Sequence, residues 1–172
     1  VPGTRGNFFQ SNSMKALLRF DLPTLPITAT VDEATLRLYQ LSRSNGNTLT
    51  LRAELQDEAL GAHRVLAGWI DAEANKTQRQ NGVNWAVVGM GSGSDYGAEA
   101  DGTADLASEG GAWIDLDVKA MAQAWVSHPD NNLGLVLLQE AASGSVYYNF
   151  CSELGWSPCT SAQAPKLTIW YH

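Results

Sequence analysis

Residues 34–39 read Ala34-Thr35-Leu36-Arg37-Leu38-Tyr39, and this stretch decides the fold class. Apolar and polar side chains alternate one by one. Successive residues of a strand point to opposite faces, so Ala34, Leu36 and Leu38 fall on a buried face and Thr35, Arg37 and Tyr39 on the other. The stretch upstream behaves in the same way. Leu18, Phe20 and Leu22 alternate with Leu17, Arg19 and Asp21, and Pro23 and Pro26 then force a turn. Downstream, Leu49, Leu51, Ala53 and Leu55 alternate with Thr48, Thr50, Arg52 and Glu54. The intervening Ser44-Asn45-Gly46-Asn47 holds an Asn-Gly pair, whose residues both tolerate positive φ, so residues 33–55 are expected to form a β-hairpin.

Further along, Val65 to Ile70 reads as a short strand or helix and Val83 to Val88 as a strand, while Gly89 to Gly111 lacks periodicity and reads as a long loop. Trp113 to Leu116 is an expected strand. Asp117 then has the character of a helix N-cap, because Val118, Met121, Ala122, Trp125 and Val126 recur at helical spacing up to His128-Pro129. Leu133 to Gln139 is apolar enough to be buried on both faces, and Val146 to Phe150 and Lys166 to Tyr171 are the last two strands. About eight strands and one short helix predict an all-β fold, a jelly-roll-type β-sandwich. Residues 15–172 are read as one domain and residues 1–14 as an N-terminal arm or truncated first strand.

Composition narrows the function. The formal net charge of −7 disfavours nucleic acid and anionic lipid as partners, since both are bound through Lys and Arg. No apolar run reaches the roughly 18 residues of a membrane span. The two cysteines, Cys151 and Cys159, allow either a disulfide or two free thiols. The turn-forming Gly155 and Pro158 between them and the absence of nearby zinc ligands favour the bridge, which would contribute about 2.5 kcal/mol. A disulfide points to an exported, extracellular protein. Asn75-Lys76-Thr77 matches the glycosylation sequon.

Nucleophile motifs are absent, and His63, His128 and His172 are read as structural. Asp115 and Asp117 suggest either a glycosidase pair or, better, a helix cap and a contact to turn backbone. A non-catalytic role is therefore expected. The carboxylates of Asp95, Glu99, Asp101 and Asp105 are either calcium ligands or a solvated acidic loop. Trp113, Trp125 and Trp85 fit core positions. Trp156, inside the cysteine loop, either caps the sandwich end or stacks on a sugar with Tyr147, Tyr148 or Asn149 supplying hydrogen bonds.

The order of motifs resembles the DNRLRE (disaggregatase-related) domain family. The match runs through Lys15 to Leu22, Ala34 to Tyr39, the spaced Trp69 and Trp85, Ser94-Asp95-Tyr96, Trp113 to Val118 with Trp125, Asn132-Leu133-Gly134-Leu135, and Pro165 to Ile169. It covers residues 15–171. The resemblance implies a β-sandwich of secreted bacterial and archaeal surface proteins, some of them carbohydrate-binding modules, and hence a polysaccharide or glycan partner. The family's extra first strand has no clear counterpart in Val1 to Ser13. A strand donated between copies of the chain, in a filament or sheath, is the alternative expectation.

Overall fold

The computed structural model describes residues 4–9, 15–45, 59–140, 146–152 and 159–172. The strands are β1 (Thr4–Phe9), β2 (Lys15–Arg19), β3 (Val31–Asn45), β4 (Ala59–Arg64), β5 (Gln78–Gln80), β6 (Val83–Asn84), β7 (Gly102–Asp105), β8 (Ala112–Asp117), β9 (Leu135–Gln139), β10 (Val146–Phe150) and β11 (Lys166–Tyr171), with one α-helix, α1 (Lys119–Ser127). The fold is all-β with antiparallel sheets, as the alternation predicts. One sheet runs β1-β2-β9-β4-β7, and β5 and β6 form a small separate ribbon.

The other sheet is built around β3. Gln40 pairs with both Ala112 of β8 and Phe150 of β10, and Arg37 with both Asp115 of β8 and Lys166 of β11. Strand β8 therefore occupies one edge of β3, while β10 and β11 share the other, end to end. The main core lies between the sheets. Leu18, Leu60 and Leu135 from the first meet Ala34, Leu36, Leu116 and Leu167 from the second. Helix α1 closes this core with Met121, Ala122, Trp125 and Val126, the face given by its periodicity. Its N-cap residue is Val118, which makes no side-chain cap. Asp117 acts from one residue earlier, its carboxylate accepting from the N–H of Lys119 at 2.9 Å.

A second, smaller core covers the outer face of the first sheet. Leu17 and Val136 point away from the main core and are roofed by Val65, Trp69, Trp85, Met90 and Tyr96. Strand β9 is thus buried on both faces, with Leu135 and Leu137 in one core and Val136 in the other. Gly134 lies just before it at φ 83°, and a Cβ there would lie 2.4 Å from the carbonyl oxygen of Leu18, so only glycine fits.

Three expectations are corrected. The segment Thr4–Phe9 pairs antiparallel with β2 of its own chain, which removes the need for a donated strand. Val83 to Val88 is not one strand: only Val83 and Asn84 pair, Trp85 turns into the second core, and Val87 and Val88 are exposed. Val65 to Ile70 follows a strand rather than forming one, the strand being β4 at Ala59–Arg64. Leu49 to Leu55, the expected second arm of the hairpin, lies outside the described residues.

Candidate functional site: the open face of the β3 sheet

The two sheets differ in how their outer faces are finished. The first is roofed by the second core, whereas the outer face of the β3 sheet carries no such cover among the described residues. Alternation sends Arg37, Tyr39, Trp113, Asp115, Lys166 and Trp170 to it. Trp113 is 38% exposed and Trp170 63%. Trp113, expected in the core, stands on the opposite parity to Ile114 and Leu116, which are the buried pair of β8.

Trp113 is held from three sides. Tyr39 meets it edge-on, with ring centroids 5.1 Å apart at 74°. The Arg37 guanidinium lies 5.5 Å and the Lys166 ammonium 5.6 Å from its ring centroid. Arg37 also grips Asp115 with two parallel bonds of 2.7 Å, which aim the guanidinium. The hydrogen bond from Arg37 holds the Asp115 carboxyl below its ordinary value, and the same bond raises Arg37. Asp115 therefore serves Arg37 rather than turn backbone. The result is a half-exposed indole in a fixed orientation, flanked by cations and a phenol. Apolar rings of this kind, already ordered before contact, lose little side-chain freedom on binding.

The expected sugar site around Trp156 falls largely outside the described residues. Asn149 spends its amide on the Ser42 hydroxyl at 2.9 Å. Tyr148 stands on β10 in register with Arg43, and Tyr147 in register with Ser44, its side chain outside the described set. Trp156 lies outside the described residues. Cys151 and Cys159 are joined, with S–S 1.99 Å and Cα–Cα 5.6 Å. Cys151 is buried and its N–H donates to Tyr39 O at 3.0 Å, so the bridge starts from the β3 edge.

The acidic loop is corrected as well. No group of three or more His, Cys, Asp or Glu side chains able to hold a metal exists among the described residues. Asp95 is 1% exposed, and its carboxylate accepts from the N–H groups of Ala86 (2.8 Å), Val87 (3.1 Å) and Gly91 (2.8 Å). Asp101 pairs with Arg64 at 2.8 Å, while Glu99 and Asp105 are exposed. The calcium expectation fails because the two better-buried carboxylates already have partners. Next to Asp95, Lys15 donates to the carbonyls of Gly89 (2.8 Å) and Met90 (2.7 Å) and lies over the Tyr96 ring. Burial lowers the Lys15 ammonium, with the Asp95 charge acting in the opposite sense. Asn75 is exposed at the head of a turn, accepting from the N–H groups of Thr77 (2.9 Å) and Gln78 (3.0 Å).

Comparison with known families overturns the resemblance drawn from the motifs. The model of the TGF-beta propeptide family matches residues 7–147. Among curated proteins no sequence matches. The motifs that suggested a DNRLRE domain, and with it a glycan-binding module or filament subunit, are explained by the fold itself. Leu17 and Leu18 serve the two cores, Gly134 fits under a carbonyl, and Asp117 serves the helix start, whatever the family. The TGF-beta propeptide family is secreted, and the chain is extracellular. No helix among the described residues is long and apolar enough to cross a membrane. With its match running from β1 to β10, the chain belongs to the TGF-beta propeptide family.

Proposed function

We propose that this chain is the propeptide part of a secreted growth-factor precursor and that it works by binding a TGF-beta growth-factor protein, with no catalytic step. The family match over residues 7–147 carries this reading. The open face of the β3 sheet is the surface we assign to the partner. Among the described residues it is the sheet face left without a roof, and its Trp113 is pre-oriented by Tyr39, Arg37 and Lys166. Interfaces draw most of their energy from a few such aromatic and arginine anchors.

The test is direct binding of the purified chain to a TGF-beta growth factor, by calorimetry or surface plasmon resonance. Measurable association is expected, and Trp113→Ala should weaken it by about tenfold or more. No association at micromolar concentration sinks the reading. Association unchanged by Trp113→Ala moves the contact to another face.

We also propose Asn75 as a glycan acceptor, since Asn75-Lys76-Thr77 is exposed on an extracellular chain. Secreted from a eukaryotic host, the chain should carry an added mass on the Asn75 peptide. The added mass should vanish in Asn75→Gln and Thr77→Ala and persist in Thr77→Ser. An unmodified peptide from the parent chain refutes the assignment.

A further inference from the structure

His63 lies on β4, 2% exposed, beneath the second core. Its Nδ1 is 2.8 Å from the carbonyl oxygen of Gly97, and its Nε2 is in hydrogen-bond contact with Oε1 of Glu140. A carbonyl oxygen only accepts, and so does a carboxylate. A neutral imidazole carries one N–H, so a neutral ring beside an ionised Glu140 would leave one of these contacts lone pair against lone pair. Both are satisfied only when one more proton is present, either on the ring or on the carboxyl. We infer that His63 and Glu140 form a proton-dependent clasp, which takes up one proton on folding and fastens the segment from Val65 to Asp101 onto the five-stranded sheet.

The backbone is shaped for this contact. A Cβ on Gly61 would lie 1.8 Å from Oε1 of Glu140 and 2.9 Å from its Cγ, so the Glu140 side chain lies flat across Gly61 to reach His63. The N–H of Glu140 donates to Ala59 O at 2.9 Å, continuing the β4–β9 pairing to the base of that side chain. Gly97, whose carbonyl takes the other ring nitrogen, belongs to the overlying segment, and its own N–H donates to Arg64 O at 2.9 Å. The clasp thus joins three pieces of chain far apart in sequence.

Among the described residues few other charges face it. From the overlying segment, Tyr96 presents its ring edge-to-face, centroids 5.4 Å apart. Its hydroxyl is raised by burial first and by the Glu140 charge second, with a hydrogen bond involving Ser92 opposing. From β2, Lys15 reaches the Tyr96 ring, 5.0 Å from its centroid. From β4 and the segment before β7, Arg64 and Asp101 neutralise each other at 2.8 Å. From β9 the neighbour paired with His63 is the apolar Val136. The direct charged partner of the ring is Glu140.

A proton bound only by the folded state makes stability fall as pH rises. Glu140→Gln separates this from every other titration. The carboxamide that this substitution introduces donates through its NH2 to a neutral Nε2 while Nδ1–H donates to Gly97, so the clasp closes without the extra proton. The experiment is urea unfolding of the parent chain and of Glu140→Gln from pH about 5 to about 9. The folding constant of the parent relative to the variant should drop with rising pH, approaching tenfold per pH unit on the alkaline limb. A ratio that stays constant across the range overturns the clasp. Should Glu140→Gln fail to fold, nitrogen NMR of His63 in the parent chain decides. Near neutral pH both ring nitrogens should be protonated, or Nδ1 alone with Glu140 as the acid. A neutral ring beside an ionised Glu140 refutes it. Gly61→Ala, which pushes Glu140 aside, should lose the same pH dependence.

Discussion

Replacing Asp95 with alanine is expected to destabilise the chain by about 3–5 kcal/mol, a loss in the upper range for single substitutions. The carboxylate is the shared acceptor for the N–H groups of Ala86, Val87 and Gly91, at a residue 1% exposed. Each buried donor left without an acceptor costs about 1–3 kcal/mol. Water entering the vacated space and the removal of a buried charge offset part of the sum. The loss should concentrate in the second core, because the three donors frame Trp85 and Met90. Urea unfolding followed by tryptophan fluorescence measures it. Asp95→Asn keeps one accepting oxygen and should fall between the parent and Asp95→Ala. A cost below about 1 kcal/mol for Asp95→Ala would mean that the loop holds itself together without the carboxylate.

Trp125→Ala is the second large effect, about 3–5 kcal/mol from lost burial and the cavity left behind. Trp125 is 1% exposed, at the point where α1 closes the main core. For a chain of this length the midpoint of thermal unfolding should fall by roughly 10 °C. Because Trp125 serves one core and Asp95 the other, the two losses are expected to add in the double variant within about 0.5 kcal/mol. Strong non-additivity would mean that the two cores are energetically coupled through the sheet between them. Calorimetric scans of the two single variants and the double variant give the comparison.

The parts of the fold legible in the sequence are those where one physical demand acts on each residue. Strands β3, β8 and β11 bury one face, so their apolar residues fall at alternate positions, and α1 buries one stripe, so its residues recur at helical spacing. Strand β4 was illegible because it answers two demands. Gly61 must leave room for Glu140 and His63 must face Gly97 and Glu140, which removes the apolar alternation from Ala59–Arg64. The run Val83 to Val88 misled in the other direction, since β-branched residues there flank a tryptophan that turns into the second core.

The candidate site was half legible. Parity along β8 puts Trp113 opposite Ile114 and Leu116, a signal available from sequence but outweighed by the general tendency of tryptophan to be buried. That the outer face of the five-stranded sheet is roofed depends on how residues 65–97 fold back, which no local pattern encodes. Asp95 shows why the cation reading failed. A carboxylate among glycines reads the same whether it is to meet calcium or free backbone N–H groups.

The arrangement of β10 and β11 bears on how the chain survives cutting. Both lie along one edge of β3, β10 ending opposite Gln40 and β11 starting opposite Arg37, and Cys151 and Cys159 are bonded in between. An endoprotease acting anywhere from Ser152 to Pro158 would therefore not release the C-terminal piece. The nicked product would be a two-chain molecule held by sulfur, with β11 still docked against Val31–Arg37, and it would separate only after reduction. In a family made as precursors, that stretch is one where processing and structural integrity need not conflict.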